Sequence, residues 1–464
     1  RLTAHDSCVN ALAFSSQNGR FLASGGDDLS IHLWDLHSET VKKRPSCTFR
    51  GPVRNIFVLA FSAHNRFIFS GGVDETVLKF DAAAHLERGL DSQVFHTPDA
   101  RFYDHEDSIR AISPHVVQDE VFLTASEDGK ILMHDGRARI RAQDTLQLDA
   151  EVTSVQFHPM MEHIFLSSDS RGRVCLRDTR MAFGPRSSRT KEGVVHSYHT
   201  YICRRSSPSL ARLETSSVVF NSDGSQLCAT NLHHHPTIYN LNDPYPVAVC
   251  SAPNLPDGTP VPVNERTYQN MCTMKHGSFG GPGLDTDSLY AAGSDDFRAY
   301  IWALPPSHEL TERRRVMSYR DWTAEEHTGV TAFADDIHGP RYVPVELDTP
   351  LARLGGHHSI VNTVIVHPEM LVAATSGVEA HVVLHGAAES LLGGLSRTSQ
   401  NTRAIGSSWE WASAAGEDER DGHWVEEQQD TVQMFDSIIY RERAIEHMLG
   451  SDGEDSDVDV AEDS

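Results

Sequence analysis

The chain has 464 residues, of which 39% are hydrophobic, and its 65 acidic and 40 basic residues give a formal net charge of -25. This length supports a large core in one big or two medium domains. The acid excess argues against binding to nucleic acid or to an anionic membrane, since both need basic surfaces. The sequence shows no apolar run near the ~20 residues that span a bilayer and no signal-peptide pattern, so we expect no membrane partner.

The 7 cysteines are scattered along the chain without a C-x-x-C pair. This usage is typical of reduced thiols in the nucleus or cytoplasm, rather than of a disulfide framework or a zinc site. We therefore expect a location in the nucleus, the cytoplasm or both. Because the first residue is Arg1 and not Met, we interpret the chain as a fragment, a processed chain or an incomplete gene model.

Residues 4–36 form the unit around which the rest of the chain is organised. Short apolar runs alternate with turns, among them the Gly-Gly-Asp-Asp turn at 25–28, and the unit ends on Leu33-Trp34-Asp35. Short apolar runs bounded by turn residues predict strands. Three strands cannot bury their apolar faces alone, so we expect such a unit to stand beside copies of itself.

The same pattern returns six more times. The copies span residues 4–36, 55–81, 105–137, 152–180, 216–241, 272–302 and 356–385. Copies of about 40 residues, each with strand, turn and strand, predict an all-β, seven-bladed propeller over residues 1–386.

Three copies repeat a histidine at a nearly constant distance from an acid in the turn. The pairs are His5 with Asp28, His105 with Asp128, and His357 with Glu379. A buried histidine bonded to a turn carboxylate satisfies both groups and fixes the blade. We therefore interpret these residues as structural rather than catalytic.

Between and after the copies, the sequence predicts loops and unstructured segments. Four longer insertions, at 82–103, 181–211, 242–269 and 303–354, are expected to be mobile or functional, and the basic, Ser/Thr-rich one at 181–211 to be disordered. The composition also predicts a disordered linker at 387–430, a short amphipathic helix at 431–449 and an acidic disordered tail at 450–464.

Copies three and four end on the same short motif, Asp135-Gly136-Arg137 and Asp178-Thr179-Arg180. An Asp can hold an Arg two positions later by charge-assisted hydrogen bonds, which would present the guanidinium on one rim of a propeller. Arg is favoured in interface hot spots for its planar fork of donors. The alternative is that each pair only ties one blade to the next.

The residues 24–28 before Ile31-His32-Leu33-Trp34-Asp35 resemble the WD repeat, and this resemblance covers about residues 1–386. The tandem Asp-x-Arg ends resemble the WDxR box of receptors that dock on the DNA-damage-binding adaptor of cullin-4 RING ubiquitin ligases. Residues 272–305, 356–384 and 434–442 are also similar to that group.

This resemblance implies a non-catalytic substrate-recognition subunit that needs no cofactor. Its partners would be the ligase adaptor, docked on Asp135, Arg137, Asp178 and Arg180, and a protein substrate that the sequence does not identify. The Trp of the WDxR box is replaced by His134 and Arg177, so we expect its packing to be lost and copy four to be irregular at Arg177.

Two other functions remain open. The chain could be a chromatin or complex-assembly scaffold that holds basic proteins through its acidic tail. An enzyme that uses the central channel is the third hypothesis, although a fold by itself does not supply a function.

One further cluster, His233-His234-His235, could bind a metal or form an exposed loop. Side chains alternate along a strand, so consecutive histidines do not easily face one ion. We therefore expect no metal, and the family resemblance implies a polar contact at the top face of the propeller.

Overall fold

Small sheets, one for each predicted copy, make up most of the structure, which is a computed structural model. It describes residues 1–37, 44–87, 95–185, 189–203, 210–263, 265–280, 288–324 and 331–386. The linker, helix and acidic tail predicted for 387–464 lie outside the described residues.

Sheets 1 to 4 are built alike, from four antiparallel strands in chain order. Sheet 1 comprises Val9–Phe14, Phe21–Gly26, Ser30–Asp35 and Cys47–Arg50, with Phe95–His96 added in parallel to its last strand. Sheet 2 comprises Ile56–Phe61, Phe67–Gly72, Val77–Asp81 and Ala100–Phe102. Sheet 3 comprises Ile109–Pro114, Val121–Ser126, Lys130–Asp135 and Thr145–Gln147. Sheet 4 comprises Val152–Phe157, Ile164–Asp169, Val174–Asp178 and Val194–Tyr198.

Sheets 5 to 7 continue the series. Sheet 5 comprises Thr215–Phe220, Gln226–Asn231, Thr237–Asn240 and Ala248–Cys250, with Val345–Leu347 added in parallel. Sheet 6 comprises Ser278–Gly280, Leu289–Gly293, Ala299–Ala303 and Ala352–Leu354. Sheet 7 comprises Val361–Val366, Val372–Gly377 and Val383–Gly386.

The sheets close into a ring. The first strand of each sheet packs against the first strand of the next, and that of sheet 7 packs against that of sheet 1. Leu2 bridges Val382 at the outer strand of sheet 7, so the start of the chain fastens the last sheet to the first. Within the described residues, the seven sheets thus follow one another in cyclic order.

The hydrophobic core lies between neighbouring sheets rather than in one central cluster. Phe69 of sheet 2 and Phe122 of sheet 3 have ring centroids 4.3 Å apart, and both rings are buried. Tyr290 and Trp302 of sheet 6 pack with Ala248 of sheet 5. Each sheet therefore buries its apolar residues only because a neighbour covers them, as the repeated sequence predicts.

Part of the prediction for the insertions is wrong. Segment 181–211, expected to be disordered, supplies the outer strand of sheet 4, Val194–Tyr198. Segments 82–103, 242–269 and 303–354 likewise supply the outer strands of sheets 2, 5 and 6. These outer strands have three to five residues, too few to show a periodic pattern in the sequence.

An added sheet lies outside the repeat pattern and joins two distant insertions. Its strands, in spatial order, are Leu210–Arg212, Tyr201–Cys203, Ala332–Phe333, Arg341–Val343 and Arg315–Met317. The short helices of the described chain are Ala82–Glu87, Thr179–Ala182, Ser307–Arg313 and Tyr319–Ala324, with 3₁₀ turns at Ala142–Asp144 and Lys191–Gly193. None of the helices in the described ranges has the length and apolar character needed to cross a membrane.

Candidate functional site

The two Asp-x-Arg motifs lie at the same end of neighbouring sheets. Asp135 and Asp178 each end the third strand, beside the turn that joins the first two strands. The backbone N–H of Gly136 donates to Glu120 O at 2.7 Å, and that of Thr179 to His163 O at 2.8 Å. We call these residues the Asp-Arg rim: Asp135, Arg137, Asp178, Arg180 and the adjoining turns 115–120 and 158–163.

A hydrogen bond shows that sheets 3 and 4 have these ends on one side of the ring. The N–H of Phe157, at the end of the first strand of sheet 4, donates to Ser113 Oγ at 2.8 Å. Ser113 lies at the same end of the first strand of sheet 3. Arg137 and Arg180 therefore project from the same rim.

Each arginine is held by its own aspartate through two parallel bonds. Arg137 donates from Nε and Nη2 to the two oxygens of Asp135, both at 2.8 Å. Arg180 donates to Asp178 from Nε at 3.0 Å and from Nη2 at 2.6 Å. These bonds hold the pKa of each aspartate below its usual value, so both stay ionised near neutral pH.

The guanidinium groups are fixed yet open to solvent. The side chains of Arg137 and Arg180 are 64% and 67% exposed. A bidentate pair through Nε and Nη2 leaves three of the five N–H donors of each guanidinium unused by the aspartate. The rim can therefore bind acceptor oxygens of a partner with little further ordering of either side chain.

Sheets 1 and 2 have a different Asp–Arg arrangement at the same end. Arg20 and Arg66, which precede the second strand, donate to Asp35 and Asp81 at the end of the third strand. Those pairs join two strands, whereas Arg137 and Arg180 bond within a single turn. The alternative explanation was that the Asp-x-Arg pairs tie one sheet to the next. The bonds of Arg137 and Arg180 to their aspartates do not do so, because each lies within one turn.

Other residues tie sheets 2 and 3 at this rim. Asp119 accepts from Ser62 Oγ at 2.6 Å and from the N–H of His64 at 2.8 Å. Lys79 Nζ lies 2.6 Å from Glu120 Oε2. The connection between sheets is therefore made without the two motif arginines.

The structure places each predicted histidine beside its predicted acid. His5 Nδ1 lies 2.9 Å from Asp28, His105 Nδ1 lies 3.0 Å from Asp128, and His357 Nδ1 lies 2.7 Å from Glu379. In each ring, Nε2 contacts a hydroxyl of the second strand, at Ser24, Thr124 and Thr375. Both nitrogens are thus engaged in holding the entry turn to the sheet.

The expected loss at the missing Trp positions is only partial. Trp34 Nε1 donates to Ser24 Oγ at 2.9 Å, ten residues earlier. At the same spacing, His134 Nε2 lies 2.9 Å from Thr124 Oγ1, and Arg177 Nε donates to Ser167 Oγ at 2.8 Å. A side-chain nitrogen at the Trp position thus still bonds the hydroxyl ten residues earlier, although the indole is absent.

The surroundings of His134 and Arg177 differ. Burial lowers the pKa of His134 to about 3, and its neutral ring stacks on Phe122 at 4.5 Å. Arg177 is buried and also donates from Nη1 to Glu192 O at 2.6 Å. The pairing with the outer strand shifts register between Leu176 and Arg177, the irregularity expected there.

Comparison with known proteins agrees with this repeat architecture. The family described as "WD domain, G-beta repeat" matches residues 1–35 and 43–81. These two segments, in sheets 1 and 2, match the WD repeat.

The chain is 28% identical over 381 residues to "DDB1- and CUL4-associated factor 5" of Homo sapiens, and the match covers 82% of the chain and 32% of that protein. It is 32% identical over 167 residues to "WD repeat protein iqw1" of Schizosaccharomyces pombe, over 35% of the chain and 20% of that protein. It is 28% identical over 218 residues to "WD and tetratricopeptide repeats protein 1" of Homo sapiens, over 45% of the chain and 29% of that protein. The predicted resemblance is thus confirmed, and the chain spans about a third or less of the length of these relatives.

The histidine run at 233–235 lies at the opposite end of the ring from the Asp-Arg rim, in the turn between the second and third strands of sheet 5. His233 is exposed, whereas His234 and His235 are half-buried. The His234 ring lies 6.0 Å from Phe333 and the His235 ring 5.8 Å from Tyr268. The rings of His234 and His235 thus have different neighbours.

Two groups among the described residues could hold a metal ion. They are His5 with Asp28 and His32, and His357 with Glu379 and His381, whose ligand atoms lie within 4.8 Å of one another. His5 and His357 already use both ring nitrogens for the bonds described above. An ion would have to replace the His–acid bond, so the hydrogen-bond chain explains these groups better.

Sequence reasoning missed the two turns of the Asp-Arg rim. In each, the Nδ1 of a buried histidine, His115 or His158, accepts the backbone N–H groups two and three residues later. The apolar side chains that follow, Val117 and Met160, point to solvent. The sequence signal for such a capped turn was a histidine directly after the first strand, as in His158-Pro159-Met160.

Proposed function

We propose that this chain is a non-catalytic substrate-recognition subunit that docks through the Asp-Arg rim on the adaptor of a cullin-4 RING ubiquitin ligase. The observation that carries the proposal is the pair of exposed, bidentate Asp–Arg forks on neighbouring sheets. The similarity to a relative named as associated with DDB1 and CUL4 supports it over the scaffold hypothesis. The expected location in the nucleus or cytoplasm stays a prediction.

The forks suit a docking role for a physical reason. An arginine on an interface normally loses rotamer freedom when it binds, at a cost of about 0.5–1.5 kcal/mol for a flexible side chain. Asp135 and Asp178 have already fixed Arg137 and Arg180 before the partner arrives. Arginine is enriched among the few residues that dominate an interface, and preorganisation lowers the cost of binding.

The opposite rim is then left for the protein that the ligase modifies. It includes the turn of His233, which is exposed. In this proposal the chain forms no covalent bond itself, because other subunits transfer ubiquitin. The identity of the substrate depends on loops that vary freely on one scaffold.

The test is the affinity of the full-length protein for purified DDB1. We expect wild type to bind and the Arg137→Ala/Arg180→Ala double variant to bind at least about 30-fold more weakly, since two hot-spot arginines are removed. The dissociation constants of wild type and variant should be measured on immobilised DDB1 at the same ionic strength.

A matched control comes from the same end of the ring. Arg20→Ala/Arg66→Ala removes two arginines that also pair with strand-end aspartates. These pairs join two strands within sheet 1 and within sheet 2, so we expect the affinity for DDB1 to stay within about 3-fold of wild type. No binding by wild type would reject the proposed function. Equal binding by wild type and the Arg137→Ala/Arg180→Ala variant would reject the role of these arginines.

A further inference from the structure

The turns of the Asp-Arg rim expose apolar side chains beside the two arginines. Met160 is 72% exposed and Val117 is 51% exposed, and Met161 next to Met160 is also exposed. Their position follows from the backbone bonds of turns 115–120 and 158–163 to the residues just before Arg137 and Arg180. Apolar groups and guanidinium groups are therefore neighbours on one rim.

These side chains are held outward by a rigid turn. His158 Nδ1 accepts from the N–H of Met160 and of Met161, both at 3.1 Å, and its Nε2 lies 3.2 Å from Gly224 O of sheet 5. Burial lowers the pKa of His158, so the neutral ring donates through Nε2–H and accepts at Nδ1. His158 thus holds the turn 158–163 by its own backbone bonds and ties it to sheet 5.

Sheet 3 repeats the device. His115 Nδ1 accepts from the N–H of Val117 at 3.1 Å and of Gln118 at 3.2 Å. In sheets 1, 2 and 5 the corresponding turns, at 15–20, 62–66 and 221–225, carry only polar, Ala and Gly residues. Among sheets 1 to 5, exposed large apolar side chains therefore stand in this turn in sheets 3 and 4, the two sheets with Asp-x-Arg motifs.

We propose that Met160 and Val117 are the apolar centre of the docking interface and bind an apolar patch on the adaptor, while Arg137 and Arg180 contact its acceptor groups. This inference rests on the proposed function. Interface cores are enriched in Met and Arg, and both residue types stand on this rim. A flexible methionine on a fixed turn can also fit an irregular partner surface.

Sheet 7 provides a matched control on the same ring. Its turn has the same histidine cap, with His367 Nδ1 accepting from the N–H of Glu369 and Met370. Leu371 in that turn is 47% exposed, but sheet 7 carries no Asp-x-Arg motif. Leu371→Glu therefore adds a carboxylate to a histidine-capped turn of a sheet without the motif arginines. It shows how much such a change alone alters the affinity for DDB1.

The experiment compares DDB1 affinity of full-length wild type, Met160→Glu, Val117→Glu and Leu371→Glu. We expect Met160→Glu to weaken binding at least about 10-fold, Val117→Glu to weaken it as well, and Leu371→Glu to stay within about 3-fold of wild type. All three side chains are exposed, so thermal unfolding should be unchanged.

The outcomes separate this inference from the proposed function. If Arg137→Ala/Arg180→Ala loses binding while Met160→Glu and Val117→Glu keep it, the apolar centre is wrong and the proposed function stands. If wild type does not bind DDB1, both are wrong. If Met160→Glu changes only self-association, measured by sedimentation, the patch pairs two copies of the chain and the inference is overturned.

Discussion

Replacement of Lys275 by methionine is expected to lower the free energy of unfolding by about 3–5 kcal/mol, the cost of breaking a buried ion pair from one side. Lys275 and Asp295 both have 0% side-chain exposure, and Lys275 Nζ lies 2.5 Å from Asp295 Oδ1. Burial lowers the pKa of Lys275, and Asp295 opposes that shift. The change would leave the aspartate buried without its cation.

The lysine also holds the entry to sheet 6. Its Nζ donates to Thr273 Oγ1 at 2.7 Å, and its carbonyl accepts from Ser217 Oγ of sheet 5 at 2.8 Å. The measurement is urea unfolding of Lys275→Met against Lys130→Met. Lys130 pairs with the exposed Glu106 and lies 3.8 Å from Asp128, so its loss should cost less than the loss of Lys275, whose ion pair is fully buried. Equal losses for the two variants would contradict this account.

The second large effect is expected at Arg177. Arg177→Met removes the donors to Ser167 Oγ and to Glu192 O, at 2.8 and 2.6 Å, inside sheet 4. Hydrogen bonds to charged groups contribute about 1.5–3 kcal/mol each, and unpartnered buried acceptors add to the loss. We expect the free energy of unfolding, measured by urea titration, to fall by about 3 kcal/mol or more.

The control for this change is Arg171→Met. Arg171 Nη1 lies 3.2 Å from Asp149, and both side chains are exposed, so the expected loss is under about 1 kcal/mol. If Arg177→Met were as stable as Arg171→Met, the nitrogen donor at the Trp position would not stabilise sheet 4.

The repeated part of the fold could be predicted because its signals are local. The turn acids recur 22 or 23 residues after their histidines, and the apolar runs between them alternate with turns. The outer strands and the added sheet gave no such signal. Tyr201–Cys203 pairs with Ala332–Phe333, so its partner lies far away in sequence and is set by packing rather than by local pattern.

The site could be predicted in part for the same reason. Asp135 and Arg137 are two residues apart, so their bond could be inferred from the sequence alone. The exposure of Met160 could not, because an apolar residue after a strand predicts burial until the His158 cap is seen to turn it outward. Arg177 looked out of place because its partner Glu192 comes from the 3₁₀ turn at Lys191–Gly193, 15 residues later.

Hydrogen–deuterium exchange of the full-length protein with and without DDB1 tests the central claim most directly. We predict that DDB1 protects backbone amides in 115–120, 136–140 and 158–163, at the Asp-Arg rim. Amides of the turns 127–129 and 232–236, at the opposite end of the sheets, should exchange as before. Protection confined to those opposite turns would contradict docking through Arg137 and Arg180.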